Sequence, residues 1–282
     1  MAIKSPFNYI GNKYRIIDEL LDLFPGNIVT FVDLFCGGCD VCANVDAEHK
    51  FANDINYHVI DILESFQQHD IHFILDYIDR TIEEWHLSKE DEASYRAFRE
   101  FVNRQGTPLD LYTLMNYSFN YQFRFNSRQG FNNTFGRNRS SFNDAIRNNL
   151  ITFHPLLAGI QFSSVDFMDF NYDVLDEGDF IYADPPYLLT CGSYNDGKRG
   201  FKGWNLQDDL NLMNLLCELS LHGINFALSN VIEHKGKTNV ELIQWAQANN
   251  FHIHGIDFNY DNCNYQSENR NFVTREVVIT NY

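Results

Sequence analysis

Residues 181–187 read Ile181-Tyr182-Ala183-Asp184-Pro185-Pro186-Tyr187. Ile181 to Ala183 have the character of the end of a buried strand. Two consecutive prolines then deny the backbone both helix and sheet hydrogen bonds, so the chain leaves the strand as a stiff, extended turn. A carboxylate, carbonyls with no neighbouring N–H to occupy them, and an aromatic ring are thereby held at the C-terminal edge of a sheet, where open α/β sheets bind ligands. An acceptor pair beside a stacking ring suits a planar base carrying an amino group. Standing alone the tetrapeptide would read as a strand and a proline turn. Its surroundings decide.

Upstream, Ile28–Phe35 is apolar and β-branched, the pattern of a second buried strand. Cys36-Gly37-Gly38 is a turn, and a helix is expected to follow through Ala47. Phe51–Asp54 reads as a short strand ending in an acid. Helical periodicity then dominates over Tyr57–Phe66, Ile71–Trp85, Lys89–Phe101 (with Ser88 as its cap) and Leu109–Asn120. Residues 121–140 become rich in Asn, Arg and Gly with interspersed Phe, the composition of a loop or hairpin. Strands return at Ile160–Phe162, Asp179–Ala183, Ile224–Leu228, His252–Phe258 and Glu276–Thr280, with helices at Leu206–Leu221 and Asn239–Asn250 between them. Strand–helix alternation on both sides of a helical stretch predicts a doubly wound α/β sheet, residues 1–56 and 151–282, interrupted by a mainly helical domain, residues 57–150, with a hairpin loop at 121–139.

Composition narrows the function classes. The chain has 282 residues and a net charge of −17, which argues against generic affinity for nucleic acid. Residues 101–150 differ: Arg104, Arg124, Arg128, Arg137, Arg139 and Arg147 stand against Asp110 and Asp144, a local balance of +4 that leaves −21 on the rest. One basic, aromatic, amide-rich segment on an acidic body reads as a contact surface. No apolar run reaches a membrane span, and Met1 to Pro6 lack the apolar stretch of a signal peptide, so a cytoplasmic protein with reduced cysteines is expected. Cys36, Cys39 and Cys42 form a C-x2-C-x2-C run that no downstream Cys/His pair completes, so they are read as small residues lining a turn and a helix, with no metal.

Phe31-Val32-Asp33-Leu34-Phe35-Cys36-Gly37-Gly38 is strand, glycine turn, helix, without the G-x-G-x-x-G of dinucleotide enzymes. Asp54 ends the next strand, where doubly wound nucleotide binders place an acceptor for ribose hydroxyls. The pair fits a nucleoside ligand lacking phosphates. With Asp184–Tyr187 in the same order, the chain resembles the Dam-type DNA adenine-N6 methyltransferases of the α group, and is most similar in its motifs to the T-even phage form. Tyr9-Ile10-Gly11-Asn12-Lys13, Phe226–Val231 with Glu233–Lys237, and Thr274–Ile279 resemble further motifs of that family, so the likeness runs nearly end to end.

The resemblance implies a Rossmann-like methyltransferase sheet with an inserted DNA-recognition domain, S-adenosylmethionine as donor, and double-stranded DNA as partner, with or without a cognate restriction endonuclease. It implies a donor site of Tyr9, Lys13, Asp33, Phe35, Cys36, Gly37, Asp54, Asp166 and Phe167, in which Asp54 takes the ribose, Asp166 and Phe167 take the adenine, and Lys13 reaches the donor carboxylate or the pocket floor. It implies a catalytic turn in which Asp184 and the Pro185 carbonyl accept both N6–H bonds of a flipped adenine and Tyr187 stacks on it. The hairpin resembles the family's reader of GATC. Arg124 matches a guanine-reading arginine, Tyr121 or Gln122 fills the gap left by the flipped base, and Asn126, Asn132, Thr134, Arg137 and Arg139 complete the DNA contacts. Thr134 stands where the family usually has proline. The competing readings are methylation of RNA adenine or of cytosine N4, and a catalytically silent DNA binder.

Overall fold

The computed structural model describes residues 2–190, 203–256 and 274–282. The chain begins with α1 (Ile17–Leu21), β1 (Thr30–Asp33), α2 (Asp40–Asn44) and β2 (His49–Asn53). Five helices follow: α3 (Tyr57–Gln68), α4 (Ile71–Glu84), α5 (Glu92–Gln105), α6 (Pro108–Met115) and α7 (Asp144–Phe153). Alternation resumes with β3 (Ile160–Ser163), β4 (Phe180–Ala183), α8 (Leu206–Leu221), β5 (Asn225–His234), β6 (Lys237–Thr238), α9 (Val240–Ala248), β7 (His252–Ile256) and β8 (Thr274–Thr280).

The strands form one sheet in the order β3-β2-β1-β4-β5-β8-β7, with β6 paired onto β5. Pairs among β1 to β5 are parallel; β8 runs antiparallel between β5 and β7. After β1 the chain steps outward through β2 and β3, and from β4 it steps the other way. The order therefore reverses between β1 and β4, which opens a crevice beyond their C-terminal ends. Asp33, Asp54 and Asp184 all sit at that edge.

Both faces of the sheet are covered, so its strands are apolar on both sides rather than alternating with polar residues. Phe31, Phe180, Tyr182, Ala227 and Val278 face one cluster, and Val32, Ile181, Ala183, Phe226, Leu228, Val277 and Ile279 face the other. The second cluster is closed by Leu212, Met213 and Leu216 of α8 and by Leu242 and Ala246 of α9. The first runs without a break into the five-helix stretch. Phe7 bridges them, its ring centroid 5.9 Å from Phe66 and 5.5 Å from Tyr112. Among the described residues no helix is long and apolar enough to cross a membrane.

Several element ends differ from those read in the sequence, each for a local reason. The cap of α5 is Asp91, whose carboxylate accepts from the Ala93 and Ser94 N–H groups, while Ser88 accepts from Glu90 and Asp91 and only turns the chain into that cap. Helix α6 starts from a Thr107–Asp110 capping box with Pro108 in its first turn, as such signals require, but stops at Met115 rather than Asn120. There Asn116 and Ser118 bond back to the Tyr112 and Met115 carbonyls, and Phe119 N–H is taken by Thr134 across the hairpin. Helix α2 spans Asp40–Asn44 only, entered through a left-handed Cys39. Strand β5 extends to His234 because β8 pairs with it well past the end of β4. The expected strand end at Phe258 lies outside the described residues.

Candidate active site and DNA-contact surface

Strand β4 is fully buried to Ala183, and the prolines carry Asp184 out over the sheet edge. The Pro185 carbonyl accepts no hydrogen bond among the described residues. Lys13, from the turn before α1, meets Asp184 Oδ2 at 2.8 Å. Lys13 Nζ also donates to the Tyr187 hydroxyl at 2.8 Å and lies 3.4 Å from Glu276 Oε1. The Tyr187 hydroxyl stands 2.8 Å from Asp184 Oδ1 and 2.7 Å from Glu276 Oε1. Burial raises the Asp184 carboxyl above its ordinary range, Lys13 pulls it down, and Glu276 pushes it up again. Burial opposes the charge on Lys13, but Asp184 and Glu276 outweigh it and raise its pKa. Of the two roles expected for Lys13, this geometry is that of the pocket floor.

The neighbouring glycine turn is held from two sides. Asp54 Oδ2 accepts the Gly37 N–H at 2.9 Å, and Oδ1 accepts the Asn56 N–H at 2.8 Å. Tyr9 lies flat over the turn: a Cβ on Gly37 would stand 2.7 Å from Tyr9 Cδ1, and Gly37 has φ +48°, so only glycine fits. Asp33, at the end of β1, is buried; Oδ2 accepts from Cys42 N–H at 3.2 Å and Oδ1 has no partner among the described residues. Burial keeps its pKa well above the ordinary value. Cys36 is buried in the turn, and Cys39 and Cys42 are buried behind it.

Beside this turn, Phe35, Phe167 and Trp204 form a three-ring group. Centroids are 5.7 Å apart for Phe35–Phe167, 5.6 Å for Phe35–Trp204 and 5.4 Å for Phe167–Trp204. Asp166 precedes Phe167 and caps its short helical turn through the Met168 N–H. The sequence reading missed two residues here. Trp204, held through its indole N–H by Asp209 at 2.6 Å, carries no motif. Glu276 did leave a signal, as an acid directly before the buried apolar run Val277–Ile279.

The hairpin crosses on antiparallel bridges at Ser118–Phe135 and Phe125–Phe131. Its buried hub is Asn133, whose amide contacts Ser118 Oγ, the Phe119 carbonyl and the Gln122 carbonyl at 2.9–3.0 Å. Tyr95 and Arg99 of α5 donate to the Asn133 carbonyl. His58 of α3 stacks on Phe125, centroids 4.0 Å apart and planes 7° apart, and burial pushes its imidazole down to about 4. Asn126 Oδ1 is spent on the tip, accepting from Arg128 and Gly130 N–H groups. Tyr121 and Gln122 are half-buried, with the Tyr121 hydroxyl bonded to the Arg139 carbonyl. Asn132 turns its N–H to the Arg124 carbonyl, and Thr134 is exposed with its N–H on Asn133 Oδ1.

Of the hairpin cations, Arg124, Arg128 and Arg139 are exposed and form no ion pair among the described residues; Arg139 lies 5.3 Å over the Phe119 ring. Arg137 is tied to Glu92 at 2.6 Å and Arg147 to Asp79. The basic surface is therefore narrower than the sequence count.

The family described as D12 class N6 adenine-specific DNA methyltransferase matches residues 9–261. This chain belongs to that family. It is 48% identical over 282 residues to the modification methylase StsI of Streptococcus sanguinis, and 45% identical over 282 residues to the type II methyltransferase M.FokI of Planomicrobium okeanokoites. The modification methylase LlaI of Lactococcus lactis subsp. lactis is 32% identical over 281 residues. Each alignment takes in 99% of this chain but 43% of the relative. The D12 chain thus spans less than half the length of these relatives. The doubly wound sheet expected from the sequence is the one observed, and of the family expectation the comparisons bear out the D12 class of adenine-N6 DNA methyltransferases.

Proposed function

We propose that this chain is a site-specific DNA methyltransferase that moves a methyl group from S-adenosylmethionine to N6 of an adenine flipped out of duplex DNA. The carrying observation is the Asp184–Pro185 turn, an ionisable acceptor and a carbonyl that no donor among the described residues occupies, at the switch point of the sheet, in a chain of the D12 family. Residues 1–56 and 151–282 form its catalytic part and residues 57–150 its target-recognition part.

The residues fit the donor. Asp33 Oδ1 is a buried acceptor lacking a donor among the described residues, suited to a cationic ligand. Gly37 lies along the donor's methionine and ribose, its turn packed against the Tyr9 ring. Phe35 and Phe167, with Trp204, suit an adenine ring, with Asp166 at its edge, and Asp54 keeps lone pairs for ribose hydroxyls beyond the two N–H groups it holds. Tyr9 and Cys36 shape the turn. When bound, the donor supplies an electrophilic methyl carried on a sulfonium.

The chain's own part is amine activation. The N6 lone pair of adenine is delocalised into the ring. Asp184 and the Pro185 carbonyl accept its two N–H bonds, draw the nitrogen towards sp3 and aim the lone pair at the methyl. Tyr187 stacks on the extruded base, and Lys13 holds Asp184 in place. On the duplex, Arg124 reads a guanine edge, Tyr121 or Gln122 takes the place of the flipped base, Arg139 meets phosphate, and Asn132 and Thr134 border the bases. Asn126 shapes the tip.

GATC is the target that the resemblance carries. One observation favours a different adenine-containing site: the Thr134 N–H bonds Asn133 Oδ1 at 2.9 Å, a hydrogen bond that the family's usual proline cannot make, so the hairpin beside the bases is built differently. The names of the relatives as modification methylases support a restriction–modification setting with a cognate endonuclease. Transfer of tritiated methyl to duplex DNA, with identification of the product base, tests the activity. N4-methylcytosine, methylated RNA or no transfer would each overturn it. Sequencing of methylated DNA from cells expressing the chain then reads the site, and marked adenines outside GATC would favour the second reading.

A further inference from the structure

Glu233–Lys237 resembles a family motif, yet it takes no part in the donor site, the catalytic turn or the hairpin described above. Strand β5 leads into it. At Glu233 that strand is paired on both edges, with Arg275 of β8 on one and Thr238 of β6 on the other. A strand has two edges, so β6 occupies the flank of β5 that β4 holds as far as Ala183, opposite Leu228. Between them lies a gap of five positions, Leu228 to Glu233, or about 17 Å of strand. The catalytic turn fills this gap: Glu276, which β8 sets opposite Val231, meets Tyr187 there. The ribbon of β5, β6 and β8 therefore rises from the same sheet edge as Asp184, in line with β4 and past the active site.

Its tip is a two-residue turn between His234 and Lys237, with Lys235 at φ +51° and Gly236 at φ +74°. Left-handed backbone at both positions is the hairpin geometry that Asn-Gly or Gly-Gly adopts with little strain. A lysine holds it at a cost, because its Cβ crowds the following carbonyl. What the strained position gains is a cation at the summit of the ribbon. Lys235 and Lys237 are exposed and form no ion pair among the described residues, and a Cβ on Gly236 would meet nothing within 4 Å. Burial and the Lys235 charge hold the His234 imidazole below its ordinary range, so it adds no charge at neutral pH. Glu233 stands opposite Arg275 in the ladder. The two lysines thus leave the tip positive, on a chain of net charge −17.

Resting on the methyl-transfer reading above, we propose that this ribbon is a second duplex-contact surface, on which Lys235 and Lys237 take phosphates of the strand that holds the target adenine. The hairpin meets the active site from the other side. Asn8 donates to the Asn120 carbonyl at 2.8 Å, and the Tyr9 ring over the Gly37 turn packs on Phe123, centroids 6.0 Å apart. Gly37 follows β1, and β1 and β5 flank β4 on opposite sides. A duplex lying over Asp184 is then gripped on both sides of the base that leaves it. An extruded base stays tied to its backbone, so a grip on that backbone at both sides keeps the base in the pocket while the stack is open. Lysine suits the task, being a compact charge without the planar fork that reads a base edge.

The contact is read by anisotropy of a fluorescein-labelled DNA duplex carrying the site that methylation sequencing gives, with S-adenosylhomocysteine present and salt varied. Lys235→Asn and Lys237→Gln are each expected to weaken binding several-fold, on matched and altered sites alike, and to reduce the salt slope by about one. Lys235→Arg and Lys237→Arg should keep both affinity and slope. Asparagine suits the left-handed position, so Lys235→Asn is expected to melt no lower than the unmodified chain. A lower melting temperature would assign Lys235 to the fold and overturn its role here. Arg80→Gln removes a cation that stands among Asp76, Asp79 and Glu83 on α4, where phosphate is repelled, and should leave the slope as it was. An unchanged slope in both lysine variants overturns the proposal. So does an equal fall in Arg80→Gln, which would make total charge the cause. A loss limited to one base pair would move the lysines to base edges and overturn the phosphate contact. If the unmodified chain binds no duplex at any salt, the methyl-transfer reading itself fails, and the proposal with it, and is thereby told apart.

Discussion

At the scale of single residues, Asp184 carries the chemistry and Asp54 the geometry. Asp184→Ala is expected to abolish transfer while leaving donor affinity within a few-fold, because its partners are Lys13 and Tyr187 rather than the glycine turn. Equal loss of donor affinity and turnover would move Asp184 into the donor site. Burial raises its pKa, and only the ionised form accepts N6–H. The single-turnover rate should therefore fall on acidification at a pH above the ordinary carboxylate value of about 4. Asp54→Ala removes the acceptor of two N–H groups and should weaken donor binding by about 2 kcal/mol; Asp54→Asn, which keeps one acceptor oxygen, should cost less. Unchanged affinity in a calorimetric titration would dismiss Asp54 from the site. Asp184 was legible because two prolines leave the backbone one course. Glu276 was not assigned a role, because what makes it chemical is its place beside Lys13 and Tyr187, at sequence separations that no local pattern reports.

At the scale of elements, the hairpin is held by its own aromatic and amide contacts rather than by a long ladder. Asn133→Ala should leave three oxygens and the Thr134 N–H short of partners and destabilise the hairpin by about 1–3 kcal/mol. Protease nicking within 121–139, with the sheet left intact, would show it; unaltered protection would mean that Phe125, Phe131 and Phe135 suffice. His58 adds a pH dependence. Its folded pKa of about 4 lies below the ordinary 6.5, so the neutral stack on Phe125 contributes fully above pH 6.5 and is lost as pH falls towards 4. Thermal unfolding at pH 5 and 7, with His58→Phe as the insensitive control, checks this. The sequence disclosed that 121–140 was no helix but could not disclose its bracing. The tie runs from Asn133 to Tyr95 and Arg99 on α5, across more than thirty residues of chain. For the same reason α8 was read with its true ends, since Asn205 and Asp208 cap it locally, whereas the chain leaves α6 to meet Thr134 across the hairpin.

At the scale of the whole molecule, a net charge of −17 must be reconciled with a duplex partner. The hairpin offers three exposed arginines without an ion pair among the described residues, Arg124, Arg128 and Arg139, while Arg137 spends its charge on Glu92. Few phosphates are then neutralised, and affinity depends on salt through their number, with a slope of about −0.9 for each. Arg139→Ala should weaken binding to all duplexes alike and reduce the slope by about one. Arg137→Ala should change it less, because its cation is already matched. Arg124→Ala should behave differently again, costing about 1–3 kcal/mol of discrimination at a single base pair. The decisive variant is Glu92→Gln. It removes the carboxylate that holds Arg137 and Arg96 and lessens the repulsion between duplex and acidic body, so it should tighten binding and steepen the slope. Fluorescence anisotropy across a salt series, on the target duplex and on one altered at that base pair, reads all four variants. If Glu92→Gln leaves both affinity and slope unchanged, Arg137 lies outside the contact face, and the hairpin's share of the electrostatic footprint contracts to its tip.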